Sequence, residues 1–355
     1  MNPTEYIQKY GGKAGGFFFL RDLGGFEKHL PPLLTYVGKD EEYSEDQVPE
    51  YFPKAIVRGS HKNDHLGLVD IIKTLYTGDN FNLGGSIERI REHANSPEVI
   101  SYNNYEGQEY DGKISILVQL FNQGTRGSMI EHPHKRGLYL VDFVDSTVLG
   151  DRVIDNYVVD QEKMIYEVNP SLLNITEDII HEVIKLYKKV RESGFIPEDY
   201  TFQMEFGLNR ESFTEEKELV LFYQARPFKK FEEPTFELDK HWKYNCYGMT
   251  PEEGIVLPVA KTDHQVGVND IKEPFAWIVE NITHKMSPHC QPRNMKAFLP
   301  IGGRVDSLEH NTYRWIRKAD ISITSPYIEA KLRSFKTGDK IRIRSNGICF
   351  EIKKE

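Results

Sequence analysis

Apolar positions recur at helical spacing over one long stretch of this chain and at strand-like spacing over several shorter ones. Between Thr176 and Ser193, the residues Ile179, Ile180, Val183, Leu186, Tyr187 and Val190 return every three or four positions, on one face of a helix. Asn174 with Glu177 matches a capping box, and Gly194 supplies the stop. Lys54–Arg58 reads as a short buried strand ending in a cation. Lys113–Leu120 reads as another, too continuous in its apolar run for a solvent-facing edge. Gly137–Val144 and Arg152–Asp160 alternate as antiparallel strands separated by a turn. Tyr200–Phe206 and Leu219–Tyr223 read as two more, joined by the polar, hairpin-like segment Asn209–Glu218. Near the end, Lys340–Arg344 and Ile348–Ile352 flank Asn346-Gly347, the signature of a β-hairpin. At the start, Gly11–Gly16 precedes the apolar run Phe17–Leu20, which reads as a loop entering a helix.

Helices and strands mixed in this way predict an α+β fold. A length of 355 residues suggests two domains. The charged stretch around Pro234 has weak periodicity, so residues 231–247 are expected to be a linker, with domains over 1–230 and 248–355.

Composition narrows the function classes. Hydrophobic residues make up 39% and charged residues 28%, as in a soluble globular protein. The net charge is −9 and the densest basic run is Lys229-Lys230, so no nucleic-acid footprint is expected. The cysteines Cys246, Cys290 and Cys349 form no CxxC pair, which argues against a disulfide framework or a zinc site. No apolar signal core opens the chain, and no apolar run approaches the roughly 20 residues of a membrane span. A cytoplasmic protein with no membrane partner is the expectation.

Four segments carry candidate chemistry. Glycines in Gly11-Gly12-Lys13-Ala14-Gly15-Gly16 would let backbone approach a phosphate, and Lys13 would add a point charge. The Gly-x4-Gly-Lys-Ser/Thr spacing of a Walker loop is absent, and an ordinary loop before a helix is the competing reading. Arg58, in Val57-Arg58-Gly59-Ser60, would neutralise a phosphoryl group or else form a structural ion pair. Glu205, between apolar neighbours at an inward strand position, needs a partner or a cation. Magnesium takes one or two carboxylates plus phosphate oxygens, and Glu205 would supply one. In Gln224-Ala225-Arg226-Pro227, Gln224 would bind metal or polar ligand atoms and Arg226 a phosphate. If Asn209–Glu218 connects their strands, Glu205 and Gln224 are neighbours.

Taken in order, these segments resemble the nucleotide domain of phosphoenolpyruvate synthase and pyruvate phosphate dikinase. The order is Gly-Gly-Lys-Ala, Val-Arg-x-Ser, the Val118-Gln119 strand, then Pro197-x-Asp199 leading to Glu205, then Gln-Ala-Arg-Pro. The likeness spans about residues 8–230. It implies an ATP-grasp-like, two-lobed nucleotide domain with ATP and Mg²⁺ as cofactors. Lys13, Arg58 and Arg226 would contact phosphates, Gln119 would line the nucleotide pocket, and Glu205 with Gln224 would hold Mg²⁺. The chain departs from the family in having Asp64–Asp70 where a Gly-Ala-Ser-Phe-Ala-Gly loop usually covers the phosphates.

The family's mobile domain carries Gly-Gly-x-Thr-Ser/Cys-His, and Ile301–His310 resembles it with three extra residues before the histidine. The resemblance therefore implies a smaller C-terminal α/β swivelling domain, with His310 as a phosphoryl carrier. The implied activity is a dikinase-like phosphotransfer from ATP to a small-molecule or protein acceptor, with a partner subunit possible for the acceptor site. The pyruvate-binding barrel has no room here, so phosphoenolpyruvate synthesis by this chain alone is not expected. Two rivals are a non-catalytic ATP-binding regulatory protein and an ATP-grasp ligase working through an acyl phosphate. His284 and His289 lack a nearby carboxylate, and His132 and His134 are expected in a loop rather than on a metal.

Overall fold

The computed structural model describes residues 1–44, 55–63, 74–76, 82–105, 108–120, 125–145, 152–160, 163–166, 175–194, 196–209, 220–238, 246–262, 268–280, 292–301, 319–323 and 328–355. The protein is α+β and forms two compact units. One holds Met1–Glu131 and a later segment that ends at Lys229. The other holds His132–Val144, a segment that ends at Val168, and Lys230–Glu355.

The first unit begins with two helices, α1 (Pro3–Tyr10) and α2 (Gly12–Leu23). Asn2 caps α1, its Oδ1 accepting from Glu5 N–H at 2.9 Å while Glu5 Oε2 accepts from Asn2 N–H at 3.0 Å. Gly11, at φ +85°, breaks the two apart. The glycine-rich stretch expected to be a loop is thus the first turns of α2. Its small residues serve packing: a Cβ on Gly15 would lie 2.7 Å from Tyr6 O, and one on Gly16 would lie 2.4 Å from Ala225 O.

A four-stranded sheet follows, ordered β1 (Leu33–Val37), β4 (Ser115–Leu120), β2 (Ala55–Ser60), β3 (Thr74–Tyr76), with antiparallel neighbours. Val37, Ala55, Val57, Ile116 and Val118 form its core face. Leu83, Ile87, Ile90 and Ala94 cover them from helix α3 (Leu83–Ala94), where each sits three or four residues after the last. Leu83, Ile87 and Ile90 each contribute about 1.5–3 kcal/mol on burial. Side chains alternate, so the opposite face carries Ile56 and Arg58, paired with Gln119 and Leu117.

Strands β5 (Arg126–Glu131), β9 (Tyr200–Leu208) and β10 (Val220–Lys229) pair antiparallel, with β9 in the middle. Helix α5 (Glu177–Glu192) buries Ile180, Val183, Ile184, Leu186, Tyr187 and Val190. Its N-cap is Thr176 rather than the expected Asn174, which lies outside the described residues; Gly194, at φ +74°, ends the turn that follows. Tyr187 stacks on Phe202 at 3.9 Å. Its Oη accepts from Glu131 N–H at 3.1 Å and donates to Phe202 O at 2.9 Å.

In the second unit, β6 (Leu138–Asp145), β7 (Arg152–Asp160) and β8 (Lys163–Tyr166) are neighbours in a sheet. A seven-stranded sheet runs β11 (Cys246–Tyr247), β15 (Ile321–Ile323), β14 (Met295–Ile301), β13 (Phe275–Glu280), β12 (Ile255–Thr262), β16 (Lys340–Ser345), β17 (Phe350–Lys354). Its centre, β12 to β15, is parallel. That explains the unbroken apolar run Phe275–Val279: Ala276 and Ile278 enter one core, while Phe275, Trp277 and Val279 enter another. The short helix Glu329–Ser334 adds Leu332 to the first of these. The C-terminal hairpin turns through four residues rather than two. Asn346 Oδ1 accepts from Ile348 and Cys349 N–H, and Gly347 sits at φ +87°.

Among the described residues no helix is long and apolar enough to cross a membrane.

Candidate functional site

The polar cluster of the first unit is built around Arg58. It is the fourth of six buried positions in β2, not the strand's end as the sequence pattern suggested. Its Nη2 donates to Gln224 Oε1 at 3.1 Å and to Glu205 Oε2 at 3.4 Å. A buried guanidinium requires such partners, since an unpaired charge away from water is costly.

Glu205 and Gln224 are set opposite each other by a β-bulge. Phe222 pairs with Phe206 and Gln224 pairs with Glu205, so Tyr223 is the extra residue. In a regular strand Phe222 and Gln224 would share a face. The bulge sends Phe222 into the core with Phe206 and turns Gln224 to Glu205. Ser128 on β5 joins the same row. The next row pairs Ile130, Gln203 and Arg226 across the three strands. The Arg226 side chain lies outside the described residues.

Several buried polar atoms here have no hydrogen-bond partner among the described residues: both amide atoms of Gln119, Nε2 of Gln224 and Oγ of Ser128. Most buried polar groups are satisfied, so a group of exceptions near one buried cation calls for a polar ligand or water. Gln119 shares the non-core face of its sheet with Arg58.

Lys13 is fully buried within α2. That helix docks on β2 by its first turn: Gly12 N–H donates to His61 O at 2.9 Å, and Ala14 N–H to Ser60 Oγ at 3.0 Å. These N–H groups are engaged by the protein itself, so they form no open cradle for a phosphate. Any phosphate role in this segment falls to the Lys13 ammonium.

Sequence reasoning passed over His61, Asp111, Ser128 and Gln203. His61 Nδ1 accepts from Asn63 N–H at 3.1 Å, which leaves the proton on Nε2, 3.2 Å from Asp111 Oδ1. Burial alone would raise the Asp111 pKa. The hydrogen bonds from Lys113 N–H and His61 outweigh it and hold the carboxyl below its usual range. Gln203 was legible as the position two before Glu205 on an alternating strand.

The second unit places His132 and His134 after β5, both buried. His134 Nε2 accepts from Gly248 N–H at 3.3 Å, so Nδ1 donates to Glu232 O at 2.5 Å. Both His134 ring nitrogens are used by backbone. His284, His289 and His310 lie outside the described residues. No group of three or more His, Cys, Asp or Glu arranged for a metal occurs among the described residues.

The arrangement fits magnesium in a narrower way. Two hard oxygens, Glu205 Oε2 and Gln224 Oε1, converge on one cationic nitrogen. One carboxylate and one amide oxygen suit a cation that takes its remaining ligands from phosphate and water.

No family model and no curated protein matches this chain. Solved structures with similar stretches include the L-amino acid ligase from Bacillus licheniformis, at 9% identity, 63% of this chain, 44% of that one and a TM-score of 0.36. The D-alanine-D-alanine ligase from Helicobacter pylori is similar at 13% identity, over 62% and 54% of the two chains, with a TM-score of 0.30. Carboxyaminoimidazole ribonucleotide synthase from Aspergillus clavatus, complexed with ATP, is similar at 11% identity, over 62% and 45%, with a TM-score of 0.34. The chain spans about half the length of these structures. They are distant likenesses, and no residue role is carried over from them.

Proposed function

We propose that the polar cluster of the first unit is a Mg²⁺-ATP site of the ATP-grasp kind and that the chain is an ATP-dependent enzyme. The observation that carries this is Arg58 Nη2 held by both Glu205 and Gln224, on a face that also buries the unsatisfied amide of Gln119. Arg58 and Lys13 would meet phosphate oxygens, and Gln119 a polar edge of the nucleotide. Bound Mg²⁺ would screen phosphate charge, with Glu205 and Gln224 as its protein ligands. The chain's own task is to position the triphosphate and to stabilise charge as it develops.

The reaction we assign is transfer of the γ-phosphoryl group to an oxygen nucleophile, with ADP leaving. With a carboxylate as acceptor, its oxygen forms the new P–O bond, the bond to the bridging β–γ oxygen breaks, and an acyl phosphate results. That is the ligase form: an amine then attacks the acyl carbon, the new C–N bond forms and inorganic phosphate leaves. The dikinase-like form, through His310 to a small molecule or a partner protein, is the second reading, supported by the likeness of Ile301–His310 to a phosphohistidine loop.

Purified chain would be incubated with Mg·ATP and a panel of carboxylic acids and amines. ADP and AMP would be quantified, and intact mass recorded beside His310→Ala. ADP release that depends on a carboxylate, with no protein adduct, supports the ligase form. A phosphate adduct lost in His310→Ala supports the relay. Absence of nucleotide binding under every condition would sink the ATP reading itself.

A further inference from the structure

In the described structure, the nitrogen that bridges Glu205 and Gln224 is the cation those two oxygens share. Arg58 Nη2 lies 3.4 Å from Glu205 Oε2 and 3.1 Å from Gln224 Oε1. The two oxygens best suited to Mg²⁺ are therefore already engaged by a guanidinium. We propose that Arg58 is the resident counter-ion of the metal position and is exchanged for the metal: the incoming phosphate draws Arg58 off Glu205, and the carboxylate so released takes the cation. This rests on the Mg²⁺-ATP reading and deepens it. It makes Arg58 a positioning residue for the metal as well as a contact for the nucleotide.

Three physical points drive the exchange. Arg58 is buried while Glu205 keeps some exposure, with side chains 7% and 22% accessible. The guanidinium is thus the group that cannot do without a partner, and it leaves one anion only for another. A carboxylate shared with a fixed guanidinium offers a metal little net charge, so Mg²⁺ alone binds weakly. A triphosphate gives Arg58 a bidentate partner of higher charge. Metal and nucleotide therefore bind together: each raises the affinity of the other by the same factor, because both depend on the same broken pair.

Mn²⁺ serves as the paramagnetic probe, followed by electron paramagnetic resonance on the full chain. It is used alone and with a non-hydrolysable ATP analogue, and analogue affinity is also measured by calorimetry without metal. In Arg58→Met the Glu205 carboxylate loses the guanidinium that lies 3.4 Å from it. Free Mn²⁺ should bind about tenfold tighter or more than in wild type, while metal-free analogue binds at least about tenfold weaker. Glu205→Gln supplies the reciprocal arm should Arg58→Met fold poorly. There free Mn²⁺ binding is lost, but metal-free analogue binds several-fold tighter, because Arg58 no longer has the Glu205 carboxylate to leave.

Exchange is overturned if wild type binds the Mn²⁺-analogue pair yet neither variant shows its gain. Wild type that binds neither Mn²⁺ nor analogue overturns the exchange and the ATP reading together. The two failures are thereby told apart.

Discussion

Replacing Gly16 by alanine separates packing from phosphate binding as the reason for the glycine-rich start of α2. A Cβ at Gly16 would lie 2.4 Å from Ala225 O and 2.8 Å from Ala225 N. Real Cβ atoms do not approach backbone so closely, and Ala225 cannot retreat easily because it pairs with Met204 inside the β9–β10 ladder. Overpacking of this kind costs about 1–3 kcal/mol, and contact with paired backbone puts this site at the upper end. Alanine returns about 1 kcal/mol of helix propensity. The expected net loss is about 2 kcal/mol, or roughly 4–8 °C in the melting temperature of a unit of this size. The partner experiment is Gly84→Ala in α3, where the nearest atoms lie 3.6 Å away. There the unfolded state loses freedom without a clash, and stability should rise by about 0.4–1 kcal/mol.

Urea denaturation of the full chain without nucleotide, followed by far-ultraviolet circular dichroism, reads both variants. A phosphate cradle predicts the opposite pattern: Gly16→Ala as stable as wild type, with nucleotide binding lost. That outcome would refute the packing account and restore the loop reading of Gly11–Gly16.

Gln119→Leu should stabilise the nucleotide-free protein by about 1 kcal/mol or more, because it removes a buried amide with both atoms unsatisfied among the described residues; thermal denaturation checks this, and an unchanged or lower melting temperature would count against the site. Tyr187→Phe removes the buried hydroxyl that accepts from Glu131 N–H at 3.1 Å and donates to Phe202 O at 2.9 Å, at a cost of about 1 kcal/mol in stability from urea denaturation; no loss would mean the hydroxyl is dispensable. Burial lowers the His134 pKa below 6.5, and its Nε2 accepts from Gly248 N–H only when unprotonated. The unfolded chain therefore binds a proton first as pH falls, so this stabilisation is full above about pH 6.5 and is lost below it as pH approaches the folded value. Stability profiles of wild type and His134→Asn should converge toward the acid side; parallel profiles from pH 5 to 8 would rule that out.

The strands that locate the cluster were readable as short apolar runs bounded by polar or turn residues. Of the expected strand residues, 55–58, 115–120, 200–206 and 220–223 lie in β2, β4, β9 and β10, and Glu205 pairs with Gln224. What pattern could not give was the bulge at Tyr223, since a register shift leaves no periodic trace. Without it Gln224 would join Phe222 in the core. The misread start of α2 has a different cause. Glycine lowers helix propensity, so Gly12, Gly15 and Gly16 argue locally for a loop, but tertiary contact with Tyr6 and Ala225 overrides propensity where only a hydrogen atom fits. The capping box at Asn174 was misplaced for a related reason: Thr176 begins α5 with no side-chain cap bond, so burial of the Ile180–Val190 face, not the cap, fixes the helix.

The same contacts decide what Arg58 costs and what it offers. A cation inside a six-residue buried strand gains nothing for stability that an apolar side chain would not give more cheaply. Gln119, buried one row away on the same face with its amide unsatisfied, adds a second local penalty. Two such penalties on one face run against the core-building logic of the opposite face, where Val57, Val118 and Ile116 meet α3. The groups that bear this loss are a guanidinium, a carboxylate and amides. Under the proposed Mg²⁺-ATP reading, their common complement is a polyanion carrying its own metal. Stability and binding should therefore move in opposite directions in Gln119→Leu. Loss of both together in that variant would mean the cluster is structural.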